Sequence, residues 1–170
     1  MPTWRLEVSS AAGAIALCPH MGCAFRCCDA KQAGEILLYP GELEEVAAQG
    51  RSTNHLEILD ANYFGGARVK CRAKDTATCD GGHKPLDCSS YPFFPKLPAS
   101  PRAKKDSSPI LTKGVGCPIA GPQIPAHAHH VRDTWTDLIT KRSAVAAWLK
   151  AIWADGDDSD DIERYDPVGS

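Results

Sequence analysis

This chain of 170 residues has no apolar run approaching the ~18 residues that mark a membrane-spanning helix. Residues 11–17 are apolar, but the run is only seven residues long. It follows the alternating Trp4, Leu6 and Val8 instead of a basic leader, so a secretory signal is not expected. A lipoprotein cleavage site at Cys18 would want a small residue before it, and Leu17 stands there. Charge excess is also lacking: the formal net charge is −2, which gives no electrostatic reason to expect a nucleic-acid or acidic-membrane partner. The one basic cluster, Arg102, Lys104 and Lys105, sits among Pro, Ser and Ala and reads as a solvated loop. There is no internal repeat. These absences point to one domain over residues 1–154 in the cytoplasm, where disulfides are rare and grouped thiols read as metal ligands or redox groups. A chain of this length buries roughly two thirds of its unfolded surface, so metal is not needed merely to reach a viable size.

What the chain does have is eight cysteines in two blocks. Cys18, Cys23, Cys27 and Cys28 fall within the stretch CPHMGCAFRCCD. Cys71, Cys79 and Cys88 follow, the last inside KPLDCSSYPFFP, and Cys117 lies apart in LTKGVGCPIAG. A thiolate is a soft ligand that suits zinc, copper(I) and iron–sulfur clusters. Four thiolates satisfy a tetrahedral zinc or a cubane iron–sulfur cluster. Only the Cys18/Cys23 and Cys23/Cys27 gaps come close to the Cys-x2-4-Cys pairs of zinc ribbons; the second block has gaps of seven and eight residues, and the ferredoxin run is absent. A disulfide framework needs an oxidising compartment and a higher cysteine content, and unconnected core cysteines do not explain a vicinal pair. Metal binding is therefore the reading, with a 4Fe-4S cluster favoured over zinc. All eight cysteines are candidate ligands. Of Cys27 and Cys28, either one ligates and the other is buried, or the two face different centres. Gly114, Gly116 and Pro118 make Cys117 resemble a loop tip aiming one thiolate at a metal; the alternative is a small buried apolar residue.

Periodicity places elements around these blocks. Residues 4–8 alternate as a short strand, 11–17 are strand or first helical turn, and 18–33 are a looped ligand-bearing segment. Residues 36–39 form an apolar run. Pro40 suits the first turn of a helix over 41–49, which Gly50 ends. Residues 56–59 are a strand or a short helix, and 62–67, with a Gly-Gly pair, a turn. Residues 92–125 hold eight prolines and read as a long irregular arm, with Tyr91, Phe93 and Phe94 as a cover for a site. Val131, Trp135, Leu138, Ile139, Val145, Trp148, Leu149 and Ile152 recur at helical steps, with a break near Ser143. Residues 155–170 are acidic and apolar-poor, a disordered tail. The fold class expected is α+β: a small, loop-rich, metal-centred domain with a C-terminal amphipathic helix.

Other side chains add less. His127, His129 and His130 read as an exposed linker or helix entry more than as ligands. His20 and His83 lie inside the cysteine stretches and are secondary candidates. Glu42 and Glu44 read as first-turn carboxylates stabilised by the helix dipole.

The pattern Cys18, Cys23, Cys27–Cys28, then EILLYPGELE, then Cys71, Cys79 and Lys84-Pro85-Leu86-Asp87-Cys88 before Tyr91-Pro92-Phe93, resembles the YkgJ-type cysteine-cluster family over roughly residues 18–95. That family is described as zinc- or iron-chelating. A larger relative, the flagellin lysine methylase, has a similar cysteine block that implies an iron–sulfur cluster. In this chain the first two cysteines are four residues apart where the commonest form has two, and Ser89 replaces the usual basic residue. The resemblance implies ligands, not a substrate. The partner expected is a protein or small molecule, and nucleic acid and membrane are not.

Overall fold

The computed structural model describes residues 35–76, 78–91, 93–96, 110–113, 123–155 and 163–164. The elements expected over 4–33, and with them Cys18, Cys23, Cys27, Cys28 and His20, lie outside the described residues, as does Cys117. The described chain is α+β, with helices and small antiparallel sheets.

The first sheet holds β1 (Ile36–Leu38), β2 (Leu56–Tyr63) and β3 (Gly66–Cys71) in the order β1-β3-β2. After β1 the chain reverses through Tyr39, Pro40, Gly41 and Glu42, closed by the Glu42 N–H donating to the Tyr39 carbonyl at 3.0 Å. Gly41 has φ 87° and ψ 0°, the third-position geometry of a type II turn, with Pro40 at the second position. Pro40 thus belongs to this turn, and helix α1 (Glu42–Ala48) starts after it. Gly50, at φ 65°, takes the left-handed step expected beyond a helix end. The Gly-Gly signal marks a tighter hairpin than a 62–67 turn. β2 runs on to Tyr63, which pairs with Gly66, leaving Phe64 (φ 53°) and Gly65 (φ 94°) as a two-residue loop. Two successive positive φ values identify a type I′ turn, whose twist matches that of the flanking strands.

Helix α2 (Leu86–Ser90) follows a short 3-10 turn over Cys79–Gly81. Within the proline-rich arm, β4 (Phe93–Lys96) and β5 (Ile110–Lys113) pair antiparallel. The arm is therefore not irregular throughout. Pro95 lies in β4, an edge strand of the second sheet, where a missing N–H is tolerated. From the acidic tail, β6 (Glu163–Arg164) adds a third strand beside β5, and nearly all the rest lies outside the described residues.

Helix α3 (Gln123–Lys141) begins eight residues before the periodic stripe, with Pro125 in its first turn, where the ring costs no hydrogen bond. Helix α4 (Ser143–Asp155) follows, the break falling at Arg142. Arg142 pairs with Glu45 of α1 and sits over the Tyr39 ring, so the break is tied to the start of the first helix. No helix among the described residues is long and apolar enough to cross a membrane.

Two apolar clusters result. One gathers Trp135, Leu138, Val145, Trp148 and Leu149 of α3 and α4 around Phe93, Tyr39 and Leu86. Phe94 packs edge-on to Trp135 and Trp148. Phe93 and Phe94 are thus part of this helical core, and they do not line the cavity shared by Cys71, Cys79 and Cys88. The other cluster lies on the first sheet: Ile36, Leu38, Leu56, Ala67 and Val69, with Cys71 and Cys88 packed against it.

Candidate metal centre

The second cysteine block is assembled from three different elements. Cys71 is the last residue of β3, Cys79 opens the 3-10 turn, and Cys88 lies in α2. All three are free thiols. All three face one cavity of about 20 Å3, whose walls also include Ile36, His55, Leu56, Lys84 and Pro85. That volume is on the scale of a single water-sized sphere. The three sulfurs frame the cavity, and among the described residues no group of three or more His, Cys, Asp or Glu side chains closes on one ion position as it stands.

The backbone around these thiols is specifically braced. Cys79 and Asp80 both have φ 53°, in the left-handed region that non-glycine residues enter at a cost of about 1–3 kcal/mol each. Asp80 offsets that strain. Its carboxylate accepts the Asp75 N–H at 2.7 Å and the Lys74 N–H at 3.0 Å, and those bonds hold its pKa below the ordinary range. Thr78 donates its hydroxyl to Asp75 at 2.7 Å, closing the same loop. The Ala73 N–H donates to Cys71 Sγ at 3.5 Å.

Burial pushes the Cys88 thiol well above its usual pKa, with the Asp87 charge adding to it and Lys84 opposing. Burial also raises Cys79, again against Lys84. Thiols so placed stay neutral unless a cation arrives. A soft metal ion would be such a cation, and thiolates are donors that suit zinc or an iron–sulfur cluster.

A buried carboxylate ties down the segment that leads into Cys88. Glu42 is 1% exposed. Its Oε1 accepts from His83 Nε2 at 2.9 Å and from the Leu86 N–H at 3.0 Å, and its Oε2 accepts from the Tyr39 N–H at 3.2 Å. Asp87 accepts the Leu37 N–H at 2.8 Å. These two carboxylates thus take up the Leu37 N–H of edge strand β1 and the Tyr39 N–H just past its end. Desolvation, with the charge of Glu42 adding to it, pushes Asp87 up to about 7. Glu42 does lie in the first turn of α1, and beyond that it is buried and ties the segment leading to Cys88 through the Leu86 N–H. His83 is turned onto Glu42 and does not line the cysteine cavity.

His127, His129 and His130 lie in the N-terminal half of α3, in keeping with a helix entry and not with an exposed linker. His127 is buried and its Nε2–H donates to the Tyr91 carbonyl at 2.9 Å. The residue the sequence did not single out is His55. It is 5% exposed, lines the cysteine cavity, and its Nε2 has no hydrogen-bond partner. It lies sixteen residues before Cys71, outside both cysteine blocks, and antiparallel pairing alone brings it there.

Comparison of the chain with protein-family models, with curated proteins and with solved structures returned no match.

Proposed function

We propose that this chain is a cysteine-cluster metal protein whose centre is an iron–sulfur cluster, serving redox chemistry or a small metalloenzyme activity on a small-molecule or protein partner. In this reading residues 1–154 form a metal-centred cytoplasmic domain with a C-terminal amphipathic helical segment. Cys71, Cys79 and Cys88 supply thiolates from one side, and Cys18, Cys23, Cys27, Cys28 and Cys117 are the remaining donors. The observation that carries it is the convergence of three free thiols, separated by seven and eight residues, on one largely apolar cavity. Apolar packing alone does not ask for that, whereas a thiolate-bound metal does. The resemblance to the YkgJ-type family supports the same ligands.

When bound, an iron–sulfur cluster would supply one-electron transfer. The chain's own contribution is to exclude water with Ile36, Leu56 and Pro85 and to balance thiolate charge with Lys84. A zinc-stabilised module that acts by binding a protein partner is the second reading. The observation favouring it is the cavity volume of about 20 Å3, which matches one ion better than a four-iron cube.

Protein purified without oxygen and assayed for iron, zinc and acid-labile sulfide decides between them. Iron and sulfide in equal amounts, with a brown absorption band, supports the cluster. Zinc alone supports the module. Neither metal, in protein that also takes up none on reconstitution, overturns both.

A further inference from the structure

We infer that His55 is a metal ligand, its Nε2 joining the sulfurs of Cys71, Cys79 and Cys88 as a fourth donor. This rests on the reading of those three cysteines as ligands and adds to it a nitrogen that the cysteine pattern does not contain. A buried imidazole nitrogen without a partner forfeits the hydrogen bond it had in water, and such atoms in native proteins call for an explanation. His55 Nε2 is buried, unpartnered and on a residue that walls the cavity shared by the three thiols. Cys3His is one of the closed tetrahedral donor sets of metal sites.

The fold holds the ring from its other side. Leu56 pairs with Cys71, and the Arg72 N–H donates to the His55 carbonyl at 2.7 Å, so His55 sits at the same hairpin end as Cys71. The His83 N–H donates to the Ser52 carbonyl at 2.8 Å, fastening the segment before His55 to the loop after Cys79. A Cβ on Gly82 would lie 2.8 Å from both Nδ1 and Cε1 of His55, so only glycine admits the ring. With Nδ1 and Cε1 held against the Gly82 segment, Nε2 is the ring nitrogen left without a partner, and either ring nitrogen of a neutral imidazole can bind a metal. As they stand the four side chains line the cavity without closing on one ion position, so binding asks them to draw together. This half of the chain supplies four donors without drawing on the first block.

The test uses the full-length chain stripped of metal and titrated with cobalt(II), whose thiolate charge-transfer and ligand-field bands report the donor set. His55→Ala should weaken a cobalt site by more than about a hundredfold, beyond the roughly 10–100-fold that loss of an outer-shell contact costs. His55→Cys should restore binding with stronger charge transfer, because a thiolate replaces the nitrogen. X-ray absorption of the wild-type cobalt protein should show sulfur plus imidazole scattering, which keeps the inference testable if His55→Ala does not fold. A wild-type shell of sulfur alone, or wild-type affinity and spectrum in His55→Ala while Cys88→Ser loses its cobalt, overturns the role of His55 and leaves the proposed function standing. Cobalt binding unchanged in Cys88→Ser as well as in His55→Ala overturns both.

Discussion

Replacing Glu42 with alanine tests the buried tie beneath the cysteine turn. The side chain is 1% exposed and accepts from His83, Leu86 and Tyr39. Its removal strands three donors in the interior. Each unsatisfied buried group costs about 1–3 kcal/mol. Water entering the space left behind recovers part of that, so a loss of about 3–5 kcal/mol is expected, the range for breaking a buried pair from one side. For a domain of this length that is a fall in Tm of roughly 6–20 °C. Glu42→Gln should be milder, about 1–3 kcal/mol. Its carbonyl can still accept from His83 and Leu86, but its NH2 then faces the Tyr39 N–H, donor against donor. The assay is urea unfolding followed by far-UV circular dichroism, with metal content measured on the same samples. Because Glu42 holds the turn that carries Cys88, metal occupancy should fall with stability in the order wild type, Gln, Ala. A Glu42→Ala protein within about 1 kcal/mol of wild type, with Gln and Ala indistinguishable, would refute the reasoning.

Trp148 is 1% exposed and packs against Phe94, with its indole nitrogen over Gly66, so Trp148→Ala should cost about 3–5 kcal/mol by chemical denaturation; an unchanged midpoint would show the helical core is misassigned. Desolvation holds buried His127 below the ordinary histidine value of 6.5. A depressed folded pKa gives stability that is present above 6.5 and is lost as pH falls through the folded value, because the unfolded chain takes up the proton first. Unfolding free energy should therefore drop below about pH 6.5 with a slope of at most about 1.4 kcal/mol per pH unit from this residue. His127→Gln should flatten that limb, and an equally steep limb in the variant would assign it elsewhere. Gly65→Val should destabilise the hairpin by about 1–2 kcal/mol, because a β-branched residue is poorly accommodated at φ 94°; equal thermal stability would argue against the type I′ turn.

Local signals were legible where one residue type decides the backbone. Pro40, Gly41 and Gly50 bracketed α1, the Gly65–Gly66 pair marked the hairpin, and the three- and four-residue recurrence from Val131 to Ile152 located residues that are buried in the helical core. β4 and β5 were hidden because their four-residue lengths give little alternation and Pro95 reads as a strand breaker away from an edge. The site was legible as a list of cysteines but not as a place. Nothing local distinguishes Glu42 from Glu44; the partners that bury Glu42 lie 41 and 44 residues on. His55 reaches the cysteine cavity through the Leu56–Cys71 register, which belongs to the folded sheet and not to any spacing along the chain.

The central claim, that Cys71, Cys79 and Cys88 serve one metal centre, is tested most directly by metal and sulfide content per chain in three single variants, Cys71→Ser, Cys79→Ser and Cys88→Ser, purified without oxygen. A hydroxyl is a hard, poor substitute for a thiolate, so each variant should lose the same amount of the same metal, and combining two should remove no more than one alone. Wild-type metal content in all three variants, or no metal in the wild-type protein even after reconstitution, would contradict it.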